Sequence, residues 1–257
     1  MQIDDSHFDL SLAATEADLR AAQRLRYAVF VEELGGDGAL VDHDARLEAD
    51  RFDPHFDHLL LRDRRRDEGD QVIGVYRVMR AAGAQAAGQF YSEDEYDLSP
   101  LRASGRRLLE LGRSCVHRDY RGGTAMMHLW AGLADYIAAH EIEVMFGVAS
   151  FHGLDPAPLE GPLSLLHHRH LAPPAIRPRA RARGHQPMDL IPEQDLDRPA
   201  AIRAIPALIK AYLRLGGFVG EGAYVDRAFN CIDVCLVMDV ALIPDKHRAI
   251  YCRSGSA

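Results

Sequence analysis

Apolar residues first recur at helical spacing between Glu16 and Leu34, where Leu19, Ala22, Leu25 and Val29 share one face. Thr15 followed three residues later by Asp18 makes a capping-box start, and Gly35-Gly36 ends the pattern, so a helix is predicted over 16–34. Two apolar runs follow, HFDHLLLRD and QVIGVYRVMRA, split by the charged turn RRRDEGD, which predicts a hairpin. LLELGRSCVH predicts a further strand. TAMMHLWAGLADYIAAH predicts a helix with Met127, Trp130, Leu133, Ala134 and Ile137 on one face, and EVMFGVASF another strand. Beyond residue 152 the periodicity breaks. Pro156, Pro158, Pro162, Pro173, Pro174, Pro178 and Pro187 mark an irregular insertion over about 153–200, with a helical turn or two in PLSLLHHRHL. IPALIKAYLRLGG restores a helix, Pro206 near its start and Gly216-Gly217 as its stop, and FNCIDVCLVMDV closes the series as a strand. The order predicts a mixed α/β fold with one central sheet, a single domain across 1–257.

Composition narrows the class. No run approaches 18 apolar residues, since VCLVMDVALI is short and broken by Asp239, so no membrane span is expected. MQIDDSHFDL lacks the basic and apolar regions of an export signal, which points to the cytoplasm. Cys115, Cys231, Cys235 and Cys252 form no CxxC pair and fit reduced thiols. The net charge of −8 is uneven: residues 1–100 hold 11 basic and 22 acidic side chains, whereas Gly161–His185 carries five Arg, four His and no acid. That basic run is either a solvated loop or a surface for an acidic partner. No nucleic-acid partner is expected.

Several polar residues stand where packing alone does not ask for them. Glu110 lies in an otherwise apolar strand and needs a partner, water or a catalytic use. Arg113, three residues on, falls on the opposite strand face. Arg26, Asp50, Asp53 and Arg77 each also have a plain reading as surface charges. The turn Arg121-Gly122-Gly123-Thr124 precedes a helix, the place where backbone N–H groups receive anions, and is also common as a structural turn. His55, His58, His167, His168 and His170 have no Cys or carboxylate at zinc-type spacing, so no metal is expected. No Gly-x-Ser-x-Gly elbow or paired nucleophile is present, which turns the chemistry away from covalent catalysis.

Taken together, LRYAVFVEELGG (25–36), FDHLLL (56–61), VIGVYRVM (72–79), QFYSEDEYDL (89–98), LELGRSCVHRDYR (109–121), VMFGVASFHGLDP (144–156) and IPALIKAYLRLGGFVGEGAYVDRAFNCIDVCLV (205–237) resemble the GNAT acyltransferase superfamily. Within it they are most similar to bacterial ornithine–acyl carrier protein N-acyltransferases, which make lyso-ornithine lipid. Arg26, Phe30, Asp50, Asp53, Arg77, Glu110 and Arg113 also match signature positions of acyl-homoserine-lactone synthases. The aromatic of that family after ELG is Gly36 or Asp37 here, and this departure places the lactone synthase reading second; a non-catalytic GNAT-like module that binds carrier protein or lipid is the alternative outside enzymes.

The resemblance implies transfer of a 3-hydroxy fatty acyl group from acyl carrier protein to the α-amine of L-ornithine. Glu110 would be the base. Arg26, Arg77 or Arg113 would hold the substrate carboxylate, Asp50 or Asp53 its side-chain ammonium, and Phe30 would line the same site. Cys115, Val116, Arg121, Gly122, Gly123 and Thr124 would meet the phosphopantetheine of the donor. The superfamily phosphate loop has small residues where this chain has Thr124 and Met126, which implies a carrier-protein thioester rather than coenzyme A. No cofactor is bound permanently on this reading, and the product would bring the enzyme to the inner membrane surface.

Overall fold

The computed structural model describes residues 5–244. Its first half runs β1 Phe8–Leu12, α1 Glu16–Arg26, a π-helical stretch Tyr27–Glu33, β2 Asp57–Asp63, β3 Val72–Arg80, α2 Ala81–Ala87, β4 Tyr96–Asp97, α3 Ser99–Ala103 and β5 Leu108–Val116. The second half runs α4 Ala125–Ala139, β6 Val144–His152, α5 Glu160–His170, β7 Arg179–Ala180, β8 His185–Gln186, α6 Arg198–Ala204, α7 Ala207–Arg214, β9 Phe218–Val219, β10 Ala223–Asp226 and β11 Cys231–Asp239. These elements form two compact units, residues 5–87 with 111–141 and residues 88–110 with 142–244, the chain crossing from one to the other within β5.

In the first unit, β1, β2 and β3 pair antiparallel and β5 follows β3 in the strand order. The hairpin expected around RRRDEGD is present, with Leu60 opposite Val75. Thr15 caps α1 as the sequence implies: its hydroxyl accepts from the Asp18 N–H, and the Asp18 carboxylate accepts from the Thr15 N–H at 3.0 Å. The predicted helix over 16–34 exists, but its last two turns widen to π-helix before Gly35 takes a left-handed φ of 70°. Ala22, Leu25 and Val29 bury against Leu60, Val75 and Cys115, with Phe30 at the edge of this cluster.

One face assignment is corrected. The helix α4 buries Leu129, Gly132, Leu133 and Tyr136, while Met127 is 59% exposed and Trp130 and Ile137 are half-buried. Apolar residues surround α4 nearly all round, so periodicity could not choose a seam; Gly132 does, because a Cβ there would lie 2.2 Å from Leu10 Cδ2, which shows how closely the helix approaches β1.

In the second unit β5 pairs parallel with β6 through Leu108–Glu110 opposite Val144–Phe146, and β6, β11, β10 and β8 continue antiparallel. β11 is flanked by β6 on one side and by β10 and β9 on the other, and Cys231 to Met238 are all buried, an apolar run broken only by Asp233. The Pro-rich stretch is more ordered than its composition suggests. It holds α5, β7, whose Ala180 pairs opposite Tyr96 of β4, and the start of α6, which Asp197 caps through the Ala200 N–H. Among the described residues no helix is long and apolar enough to cross a membrane.

The seam on α4 gives the first test. Leu129→Ala will cost about 2–5 kcal/mol of unfolding free energy, and Met127→Ala will stay within about 0.5 kcal/mol, as measured by urea midpoints. Equal losses at both positions would put the buried face where periodicity alone placed it.

Candidate active site

Five of the residues singled out in the sequence meet in the first unit. α1 delivers Arg26 at its last position, the loop before β2 delivers Asp50 and Asp53, β3 delivers Arg77, and β5 delivers Arg113. A sixth, Glu48, completes the set. The Arg26 terminal nitrogens grip both oxygens of Asp53, Nη1 to Oδ1 at 2.7 Å and Nη2 to Oδ2 at 3.1 Å, while its Nε donates to Glu48. Arg77 donates to Asp53 Oδ1 and to Asp50 Oδ2, both at 2.6 Å. Arg113 donates through Nε to Glu48 Oε1 at 3.3 Å, and its Nη2 lies 3.9 Å from Asp50 Oδ2. Gln23 adds a donor to Asp53 Oδ2 at 2.9 Å, and His58 Nε2 meets the Asp53 carbonyl at 3.1 Å.

Three guanidinium and three carboxylate charges cancel in this cluster. Burial alone would push the carboxyl groups of Glu48, Asp50 and Asp53 up, yet the adjacent guanidiniums outweigh it and hold all three below the usual carboxylate range. Packing fixes the arginines as firmly as charge does. The Arg77 guanidinium carbon sits 4.2 Å from the Phe56 ring centroid, and a Cβ on Gly112 would come within 2.8 Å of Arg77 Nε and 2.9 Å of Phe56 Cε1. Gly112 is therefore the residue that lets β5 pass over the buried arginine.

Exposure within the cluster is graded. The side chains of Arg26, Arg77, Glu48 and Asp53 are at most 2% exposed, whereas Arg113 reaches 12% and Asp50 19%. The Arg113 guanidinium lies 5.8 Å from the centroid of the half-buried Phe30 ring. Arg113, Asp50 and Phe30 are thus the members that reach solvent, while Arg26, Asp53 and Arg77 are buried.

Glu110 belongs to the second unit and is fully buried. Two main-chain groups donate to it: Oε2 accepts from the Tyr91 N–H at 2.8 Å and Oε1 from the Ser92 N–H at 2.6 Å. These N–H groups open the 3-10 turn Tyr91–Asp94, whose early donors have no carbonyl within the turn to bond. An acid in an apolar strand is thus explained structurally by a turn that needs an acceptor, and the same bonds fix the carboxylate's orientation. Around it burial, then Glu110 and Glu95, push the Cys235 thiol well above its ordinary value.

The turn at Arg121 is held by its own side chains. Arg121 donates from Nε to the Val116 carbonyl at 3.0 Å and pairs with Glu33 at 2.8 Å; Gly122 takes a φ of 79°, and Thr124 Oγ1 donates to Asp5 Oδ1 at 3.1 Å. Burial pushes the Cys115 thiol up to about 12, so it is no thiolate nucleophile near neutral pH. Cys231 is shifted upward by burial as well, and Cys252 lies outside the described residues. In the basic run, Arg177, Arg181 and Arg183 donate from Nε to the Ala172 carbonyl, the Glu93 carbonyl and the Tyr224 hydroxyl, and Arg179 donates to Glu221. The run is pinned to its own unit while Arg179, Arg181 and Arg183 stay exposed.

Among the described residues two groups bring three metal-capable atoms within 4.8 Å of one another, His167–His168–Asp189 and Asp226–Cys231–Asp233. In the first, His168 Nε2 already meets the Ile191 carbonyl at 2.9 Å; in the second, Asp226 Oδ1 accepts the Ala228 and Phe229 N–H groups. One member of each set thus already has a main-chain partner. Sequence reasoning missed Glu48, which looks like one more acid in an acidic half, and Gly112, whose place inside a strand was the available signal.

The chain matches the acetyltransferase (GNAT) domain model over residues 25–131. It is 61% identical over 248 residues to an L-ornithine N(alpha)-acyltransferase of Rhodobacter capsulatus, covering 96% of this chain and 95% of the relative. It is 41% identical to an L-ornithine N(alpha)-acyltransferase of Brucella abortus, covering 95% and 88%. Among solved structures it resembles the AHL synthase LasI with a TM-score of 0.51 at 16% identity, covering 95% of each chain, a likeness of fold alone.

The buried cluster makes a pH-dependent prediction. Its carboxyl groups have folded pKa values below the unfolded ones near about 4, so their contribution is complete above that pH and is lost as pH falls through the folded values. Asp53→Asn will cost about 3–5 kcal/mol near pH 7 by uncovering two buried arginines. The gap in melting temperature between wild type and variant will narrow as pH falls below about 4; a gap unchanged down to pH 2 would show that Asp53 acts through shape and not charge.

Proposed function

The chain belongs to the L-ornithine N(alpha)-acyltransferase family of GNAT N-acyltransferases, and from that premise we propose that it moves a 3-hydroxy fatty acyl group from acyl carrier protein to the α-amine of L-ornithine, forming lyso-ornithine lipid. The observation that carries the proposal is the 61% identity across 96% of the chain to a relative of that name. In the reaction the amine nitrogen attacks the thioester carbon, a C–N bond forms, the C–S bond breaks, and the phosphopantetheine thiol leaves with a proton.

The amine arrives protonated at neutral pH, so a base must take its proton before attack. Glu110 is our candidate, and its bonds to Tyr91 and Ser92 would aim it. In the first unit, Arg113 has Asp50 beside it. These two are suited to the acceptor's carboxylate and to an ammonium. The N–H groups of Cys115 and Val116 are candidates for stabilising the tetrahedral oxyanion. Arg121, Gly122, Gly123 and Thr124 would receive the single phosphate of phosphopantetheine. The exposed arginines of Gly161–His185 offer carrier protein, an acidic partner, a surface of opposite sign. The product is an amphiphile, which would bring the enzyme to the inner membrane surface.

Two measurements test this. Purified protein supplied with 3-hydroxyacyl carrier protein and L-ornithine will yield acyl-ornithine by mass spectrometry, with kcat/KM at least roughly tenfold above that for the matching coenzyme A ester, about 1.4 kcal/mol. Equal use of both donors, or a preference for acetyl-coenzyme A, would remove the carrier protein from the proposal. Glu110→Gln keeps the size but can accept from only one of the two N–H groups, its amide NH2 facing the other, and the folded variant will lower the rate by about a hundredfold or more. A folded Glu110→Gln protein that turns over at the wild-type rate across pH 6 to 9 would leave Glu110 as the acceptor of the Tyr91–Asp94 turn alone.

A further inference from the structure

Glu48 carries no role so far beyond its place in the buried cluster, yet its geometry is unlike that of the other acids. Asp53 and Asp50 meet the terminal nitrogens of their arginines, whereas Glu48 meets the Nε edge of two arginines at once, Arg26 on Oε2 and Arg113 on Oε1. A guanidinium is a planar fork, so fixing Nε fixes where the terminal pair is aimed. At Arg26 the result is visible: with Nε on Glu48, the terminal pair holds both oxygens of Asp53 side by side. Arg113 is gripped the same way by the other oxygen, and its terminal side has Asp50 at 3.9 Å, a looser contact than the 2.6 Å of Arg77 to the same oxygen.

Glu48 is itself anchored. Its side chain is fully buried, and its own N–H donates to the Gln23 carbonyl at 3.2 Å, which ties the loop to α1 one turn before Arg26. We propose that Glu48 is a positioning residue for the acceptor: holding the Nε edges of Arg26 and Arg113, it aims the terminal nitrogens of Arg113, beside Asp50 and Phe30, at the α-carboxylate of the amino acid. This rests on the amino-acid N-acyltransferase reading and adds the group that sets acceptor affinity. Charge supports it. The six groups of the cluster cancel, and L-ornithine whose α-amine has given up its proton for attack carries one carboxylate for Arg113 and one side-chain ammonium toward Asp50, which leaves the total unchanged, whereas a ligand of one sign would not.

The test separates positioning from support of the fold. With donor saturating, Glu48→Gln and Glu48→Asp are compared with Arg113→Gln and with Glu48→Gln/Arg113→Gln, varying L-ornithine and then the donor. Glu48→Gln and Glu48→Asp are each expected to raise KM for the amino acid by about tenfold, leave kcat within roughly threefold and leave the donor KM unchanged. In the Arg113→Gln background, Glu48→Gln is expected to add less than about twofold, because both changes remove one interaction. A merely structural Glu48 would lower the active fraction, hence kcat, and move neither KM; that result, or additive effects in the cycle, overturns the inference. Should Glu48→Gln not fold, Glu48→Asp and Arg113→Gln still decide, since an amino-acid KM within twofold of wild type in either sinks it. Wild-type protein that acylates no amino acid would overturn the functional reading and this inference together, whereas wild-type turnover without the KM split overturns this inference alone.

Discussion

The carboxylate of Asp53, shared between two fully buried guanidiniums, is the contact on which the first unit depends. It accepts from Arg26, Arg77 and Gln23 at once, and the carbonyl of the same residue meets His58. One residue of a loop thereby ties together α1, β2 and β3. Without it two positive charges would share a nearly water-free space, and the desolvation already suffered by each would have nothing to offset it. Replacing such a network by apolar side chains of similar volume is often neutral or stabilising. Stability alone does not account for its presence; what six charges supply and apolar packing does not is a fixed direction for each guanidinium.

The second unit solves a related problem with main chain instead of side chains. Glu110 is held by two consecutive N–H groups of a 3-10 turn, so its oxygens follow the backbone of residues 91 and 92 and not a flexible partner. A carboxylate set in this way has little freedom left to lose, which is the organisation expected of a preoriented group. Tyr96 shows the same habit nearby. Its hydroxyl donates to the Gly222 and Asp233 carbonyls, at 3.2 and 2.9 Å, and closes the turn against β10 and β11.

The long elements were legible in the sequence because each carries a strong period or an unbroken apolar run. β2, β3, β5, β6, β11, α1 and α7 follow from such patterns. β1 was not, since FDLSL offers only five residues and leaves Leu12 largely exposed; α6 was hidden because RPAAIRA combines a proline start with few apolar positions. The polar cluster divides in the same manner. Arg26, Asp53 and Arg77 stood out as charges in ordered segments, but nothing in ARLEADRFD distinguishes Glu48 from its acidic neighbours until the loop is folded against α1. The partners of Glu110 were invisible for a different reason: backbone N–H groups belong to every residue type and leave no mark in composition.

The arginines of this protein live in two electrical environments. Those at 179, 181 and 183 face solvent, where dissolved ions gather within about 10 Å at moderate salt and mute any attraction they exert. Arg26 and Arg77 sit where no counterion can approach, so the same addition of salt leaves their pairing with Asp53 intact. Ionic strength thus acts as a selective solvent variable on this chain: it dims the field of the outer arginines while the inner ones keep the scaffold standing.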